Sequence, residues 1–434
     1  MSFSSGQIVA FRLAAQGLVG PAREPLDALA GGWAFQDSPP GAAAAALSAR
    51  CDELSVGWLD AALHDDRTVV ALYNPRTATA LVPAGDVATF TAGLMPADEA
   101  SWRFLLGRAI PPAGEGVGPA AALDVALPAF EAALDGGPLS RDDLHAELRE
   151  RLPDELLPWC DGCQSHHARR GLLVAASLHG RLCIAGRAGR QPLFARTDRW
   201  LGPQAAPEAV NRDEAAAEVV RRHLRWYGPT TPARFAQWAG IAPAQALRAW
   251  ALVAGELEAI ELEGGGTAWL LAADRDALEA AGAGGTGAGS ADAGGAGPRG
   301  AGPRGAGPRG AGAGGVGAGG VGAGGAQAGA DAGAPRVRLL PAGDPLLLAR
   351  DRELLVSDAG TRRRIWAAIN GPGVALVDGR PAALWRARKR GRRLAVELTA
   401  LDGALPAATV AAAEREARRL APHRGCATAE IAAA

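Results

Sequence analysis

Residues 213–272 constrain the chain more tightly than any other stretch. Ala216, Val219, Val220, Leu224 and Trp226 recur at helical spacing, which predicts a first helix that Gly228-Pro229 stops. Thr231 caps a short second helix, with Pro232 at its first position and Gly240 just past its end. Pro243 opens a third helix, which runs through Leu247, Trp250 and Leu252 and stops at Gly255. Two alternating runs, 257–263 and 267–271, flank Gly264-Gly265-Gly266 and predict a hairpin. Three helices and a two-stranded wing are the plan of a winged helix-turn-helix unit. Its third helix can lie in a major groove while the hairpin touches phosphates. Such units also dock proteins. Gln245 and Arg248 are the only candidate base readers on the third helix, so the pattern leaves both uses open.

A similar order recurs upstream. Residues 1–120 predict a helix over 7–20, a short one ending at Gly31-Gly32, an Ala-rich helix over 42–50 and a weaker one over 56–63. Two strands around Asn74-Pro75 make a wing, with Arg76 at its turn, and helices over 87–94 and 97–106 follow. Residues 121–203 repeat the plan. A helix spans 123–133, Ser140 caps the next with Asp143 three residues on, and a third spans 164–178. The hairpin over 181–196 carries Arg187 and Arg190 at its turn, either as phosphate contacts or as a solvated tip.

From 282 to 334 the composition collapses to Gly, Ala and a few Pro, with GAGPR three times in a row. Such a segment cannot offset its ordering entropy by burial, so we read it as a disordered linker spanning on the order of 40 Å. Order returns in residues 335–434, with strands over 374–377, 383–388 and 394–398 and a helix over 410–420. The hairpin there is basic: Arg386, Arg388, Lys389, Arg390, Arg392 and Arg393. It could grip a nucleic-acid backbone, or carry charge that blocks sheet-to-sheet aggregation. The fold class expected is α+β: three tandem winged helix-turn-helix units (1–120, 121–203, 204–281), the linker (282–334) and a small β-rich C-terminal domain (335–434).

The net charge is −1, which excludes a globally polybasic protein, but its distribution is uneven. Residues 1–335 hold 27 basic against 36 acidic side chains, and residues 336–434 hold 18 against 10. A basic tail on an acidic body suits an anion-binding face. No apolar run is long enough to span a bilayer and no signal peptide opens the chain, so no membrane partner is expected. Five cysteines in 434 residues fit a reducing cytoplasm. Cys160-x-x-Cys163 followed by His166 and His167 is half of a zinc site, which closes only if two side chains converge from elsewhere, so no metal is expected. The Gly-rich segment lacks a Gly-Lys-Ser/Thr ending and follows no strand, so nucleotide and other cofactors are not expected either.

Three stretches carry a family resemblance: RHLRWYGPTTPARFAQWAG, LLPAGDPLLLARDRELL and VALVDGRPAALWRARKRGRRLAVEL. They resemble the winged-helix DNA-binding family that includes the AlkZ and YcaQ type DNA glycosylases, whose tail pattern is LLPxxDP…RDR…GxxxGxWR. Ala383 stands at the second Gly of that pattern. QGL at 16–18, FQDSPPG at 35–41 and LSAR at 47–50 are similar more loosely. The resemblance implies three tandem winged helices and a β-rich domain around a DNA-sized channel. It also implies excision of alkylated or crosslinked bases by a motif of Gln, an apolar residue, then Gln or Asp. Carried over, the motif falls on Gln36, Asp37 and Ser38, departing at its second and third positions. The family's Arg-Gly-Thr-x-His stretch falls on residues 76–80, with Ala80 in place of the His.

The function expected is therefore a cytoplasmic, monomeric protein that binds double-stranded DNA. As a monofunctional glycosylase, it would use Gln36, Asp37 and Ser38 as catalytic residues. Arg76, Arg187, Arg190, Arg234, Gln245, Arg248, Arg386, Arg388, Lys389 and Arg390 would hold the duplex. A non-catalytic DNA-binding or scaffolding protein that lost the motif is the alternative, and a protein-docking module without DNA is a third. Loss of excision in Gln36→Ala is the result the first reading expects.

Overall fold

The computed structural model describes residues 2–20, 22–32, 35–189, 191–283, 334–367 and 371–433. The expected linker over 282–334 falls almost wholly outside them, as does Arg190. Asn211 opens the helix Arg212–Tyr227, its side chain accepting from the amides of Asp213 and Glu214. Val219, Val220, Leu224, Trp226 and Tyr227 form its buried face. Thr231 caps the helix Pro232–Ala239 by accepting from Arg234 N, and Gly240 ends it at φ 75°, where a Cβ would strike Arg76. The helix Pro243–Ala251 and the antiparallel hairpin Leu257–Leu262/Thr267–Leu271 complete the group in the order its spacing predicts.

The N-terminus joins this group. Ser2–Phe3 pairs in parallel with Glu261 and Leu262, and Phe3, Ile8 and Phe11 share a core with Ile260, Leu270 and Leu278. At the centre of the group His223 lies against Tyr227, Phe235 and Trp238, with ring centroids 5.0, 5.2 and 4.7 Å away. Neither of its ring nitrogens has a hydrogen-bond partner, and burial pushes its pKa down to about 3. A depressed basic group protonates in the unfolded chain first. Its contribution is thus full above pH 6.5 and is lost as pH falls toward about 3. Denaturant titrations should therefore show the wild-type protein losing stability over that window, with His223→Phe flattening the slope. An unchanged slope in the variant would place the acid sensitivity elsewhere.

The first two wings are not separate. Their strands merge in one six-stranded sheet, ordered Phe35–Gln36, Thr79–Pro83, Val69–Tyr73, Cys183–Ala188, Gln191–Ala195, Leu139–Ser140. Ala71 pairs with Ile184 across the seam. Val69, Val70, Ala71 and Leu72 are all buried, so this strand has no polar face to turn to water and takes a second hairpin along its edge. The helix expected over 164–178 is shorter, Arg170–Leu178, because Ser165–His166 pairs with Trp159–Cys160 as a two-stranded ribbon. The weaker helix over 56–63 becomes a single turn, Trp58–Asp60, running into a π-type turn, Ala61–Asp65.

The tail folds as a five-stranded sheet ordered Val337–Leu340, Gly373–Val377, Arg380–Arg390, Arg393–Ala400, Thr428–Ala433. The last pair is parallel, so a crossover is required, and the helix Ala407–His423 supplies it while covering the sheet. Gly373 is glycine because a Cβ there would strike the Trp385 ring, which donates its N–H to Leu340 O at 2.7 Å.

The Ala-rich helix Ala42–Ser48 is buried along its whole length between two bodies. Ala43, Ala46 and Leu47 belong to the main core, while Ala45 packs with Val337, Leu339 and Ala413 of the tail. Small side chains let both bodies approach one backbone. Arg419 donates to the carbonyls of Ser48, Cys51 and Asp52 just past its C-terminal end. Two buried ion pairs lock the junction. Arg50 grips Asp344 with two bonds of 2.8 Å, and Arg12 grips Asp351 with bonds of 2.8 and 2.6 Å. Among the described residues no helix is long and apolar enough to cross a membrane.

Candidate nucleic-acid cleft

A cleft of about 1540 Å³ opens over the six-stranded sheet. Ala71 and Tyr73, and Thr79 and Leu81, stand two apart on their strands, so each pair shares the cleft face, while a bulge between Ile184 and Gly186 brings Ile184, Ala185 and Gly186 all to it. The segment from Asp37 to Ala44 forms one wall, and the helix Arg141–Arg149 with residues 162–170 forms another. Pro422, His423 and Gly425 of the tail close a third side. Leu54, Val56, Leu59 and Leu63 add an apolar strip, with Val56 65% exposed.

Directly opposed residues in an antiparallel pair share a face. Phe35 opposes Leu81 and Gln36 opposes Ala80. Gln36 therefore points to the far side of the sheet, where its Oε1 lies 3.4 Å from where a Cβ on Gly343 would sit. Asp37 and Ser38 line the cleft. Asp37 Oδ1 accepts from Gly41 N at 2.7 Å and Ala43 N at 3.3 Å, which anchors the carboxylate at the start of the Ala-rich helix. Its Oδ2 is 3.5 Å from Arg187, a loose pair whose guanidinium is 40% exposed. Arg141, Arg149 and Arg170 join Arg187 on the walls, against the acidic Asp37, Asp60 and Asp142. Burial and the neighbouring His167, Arg141 and Arg149 hold His145 down to about 4, a neutral imidazole at physiological pH.

The other candidate DNA contacts fall into two sets. Those of the third helical group are tied into protein and lie outside the cleft. Gln245 is buried and donates to Leu94 O and Met95 O, Arg248 pairs with Asp98 at 2.5 Å, and Arg234 pairs with Glu353 at 3.0 Å. Burial and the nearby Arg350 lower Arg76 to about 10. The basic hairpin of the tail is exposed at Arg386, Arg388, Lys389 and Arg390. Lys389 Nζ comes within 3.1 Å of where a Cβ on Gly425 would sit, which brings this hairpin to the cleft mouth. Sequence reasoning missed His64, Arg141, Arg149 and Arg170. Arg141 and Arg149 stand two turns apart on one helix, a spacing the sequence did offer, whereas His64 and Arg170 come from distant segments that only the fold brings beside them.

Residues 30–286 and 314–423 match the family described as DNA glycosylase AlkZ-like. This chain belongs to the AlkZ-like DNA glycosylase family. The unmatched break in this AlkZ-like chain lies in its Gly/Ala segment. Streptomyces sahachiroi DNA glycosylase AlkZ, a solved structure, shares the fold. The TM-score is 0.69 at 18% identity, and all of both chains is covered. No curated protein matches the sequence.

Several of the residues that carried the AlkZ-like resemblance hold the fold together. Asp344 and Asp351 of the tail signature hold Arg50 and Arg12. Gln16 donates to Trp226 O and accepts from Arg50, and Tyr227 donates to Pro345 O. Ala80, where the resemblance implies a His, is fully buried opposite Gln36.

Proposed function

We propose that this protein is a monofunctional DNA glycosylase that hydrolyses the N-glycosidic bond of alkylated or bulky bases in duplex DNA. Its three helix-rich groups, each with a hairpin, are read as winged helices, two of them fused through one sheet. The observation that carries the proposal is Asp37, a carboxylate fixed by one oxygen with the other directed toward a cleft ringed by arginines. Water held by Asp37 Oδ2 would attack C1′ as the C1′–N bond breaks. The carboxylate would take the water proton and stabilise the cationic sugar, and a positively charged purine would leave as a neutral base. The apolar strip from Leu54 to Leu63 suits a bulky adduct. Incubation with duplex carrying N7-alkylguanine should yield abasic sites. An absence of product from folded protein that binds this duplex would overturn the catalytic reading.

A non-catalytic DNA-binding role is favoured by one observation. Of the three positions to which the motif was carried, Gln36 faces away from the cleft and Ser38 departs from the pattern. Salt dependence of duplex affinity tests the shared DNA-binding part. Arg187→Ala and Arg388→Ala should each lower the slope of log K against log salt by about 1. Slopes equal to wild type would remove these side chains from the interface.

A further inference from the structure

The ribbon Trp159–Cys160/Ser165–His166 turns so tightly that Cys163 N donates to Cys160 O at 3.2 Å. A donor atom from each of Cys160, Cys163 and His167 lies within 4.8 Å of the other two. His167 Nδ1 is 2.8 Å from Ala168 O, so it carries the ring proton and leaves the Nε2 lone pair bare. That Nε2 is buried, with the Cys160 thiol as its neighbour. An imidazole anchored through one nitrogen to a backbone carbonyl, with the other bare beside two thiols, is the state in which histidine ligates a metal. The half-site seen in the sequence needs a fourth donor, and the fold brings one from another element. His145, on the helix Arg141–Arg149, has its ring centroid 4.6 Å from that of His167. Its Nδ1 is likewise buried, and it has no hydrogen-bond partner. Leaving such a nitrogen unsatisfied costs free energy that a shared ligand would remove.

We propose that Cys160, Cys163, His167 and His145 bind one structural zinc ion. Two thiolates and two neutral imidazoles form a borderline-soft, four-coordinate donor set, which suits zinc and not magnesium or calcium. With bond lengths of about 2.0–2.3 Å, tetrahedral ligand atoms lie about 3.3–3.8 Å apart, so side-chain rotation must draw Cys160, Cys163 and His167 in by roughly 1 Å and swing His145, which lies outside that cluster, further toward them. With four protein ligands the ion has no open position. Its role is to staple the ribbon to the helix Arg141–Arg149 on the cleft wall, and Asp37 keeps its own task. The inference does not rest on the glycosylase reading, because metal content is measured without DNA.

The test uses the full, untagged chain, grown with zinc, purified under reductant and assayed by elemental analysis. About one zinc per chain is expected in the wild type, near zero in Cys160→Ser/Cys163→Ser, and a clear loss in His145→Ala after dialysis against a weak chelator. Replacement by cobalt should give thiolate-to-cobalt charge-transfer absorption that weakens by about half in Cys163→Ser. Should the double variant fail to fold, the wild-type zinc content and cobalt spectrum decide alone. Wild-type protein with no zinc and no thiolate band, or a band that Cys163→Ser leaves unchanged, would overturn the proposal. So would a Cys160–Cys163 disulfide that persists under reductant.

Discussion

Asp37→Asn is expected to lower excision of N7-alkylguanine by about 10²–10⁴-fold while leaving the fold and duplex affinity near wild type. The choice of Asn follows from the two oxygens of Asp37. Oδ1 accepts from Gly41 N and Ala43 N at the head of the Ala-rich helix, and an amide oxygen keeps those bonds. What the change removes is the negative charge on the oxygen facing Arg187 and the cleft, and with it the ability to take a proton from water. Asp37→Ala would also strip the helix start, mixing a stability loss of about 1 kcal/mol into the result. Single-turnover rates on a defined lesion duplex, read beside thermal melts, separate the two. Full activity in Asp37→Asn would sink this assignment. If Gln36→Ala then lost excision while Asp37→Asn kept it, the chemistry would belong to the opposite side of the sheet, next to Gly343.

The second large effect is on stability. Arg50→Met alone is expected to cost about 3–5 kcal/mol, because it leaves Asp344 as an uncompensated charge in a fully buried site. Arg50 also donates to Ala46 O and Gln16 and lies 5.4 and 5.7 Å from the ring centroids of Phe35 and Trp226. Asp344→Leu alone should cost a similar amount by stranding the guanidinium. Combining the two should recover much of the loss, since hydrophobic side chains of comparable volume often replace a buried pair at little cost. Urea titrations of the two single variants and the double variant form the cycle. Single variants within about 1 kcal/mol of wild type would show that the pair does not hold the junction.

What the sequence made legible was local. Caps and stops in the third helical group sit close in sequence to what they cap, so Thr231 and Gly240 act as spacing alone suggests, while the Asn211 cap was found only in the fold. Three of the five tail strands were expected from alternation, and the first and last, Val337–Leu340 and Thr428–Ala433, were not. What spacing could not reach was pairing between distant segments. Nothing near Ala71 announces that Ile184 will lie beside it, and nothing in the helix Arg141–Arg149 points His145 at His167. For the third group the pattern left DNA contact and protein docking open; in the fold Gln245 and Arg248 bond to residues 94–101, and the cleft is lined by other parts of the chain. The family signatures identified the family correctly, and a stretch such as LLPAGDP stands out for its buried Asp344 and not for any contact with the cleft.

The helix Ala42–Ser48 has one end beside the Asp37 carboxylate and the other beside Arg419 of the tail. Packed on both flanks and too short to bend, it behaves as a stiff strut between hairpin and sheet. A pull on the basic hairpin by a bound duplex would thus be felt at Asp37 as a displacement of the amides that orient it, so grip and chemistry share one mechanical element.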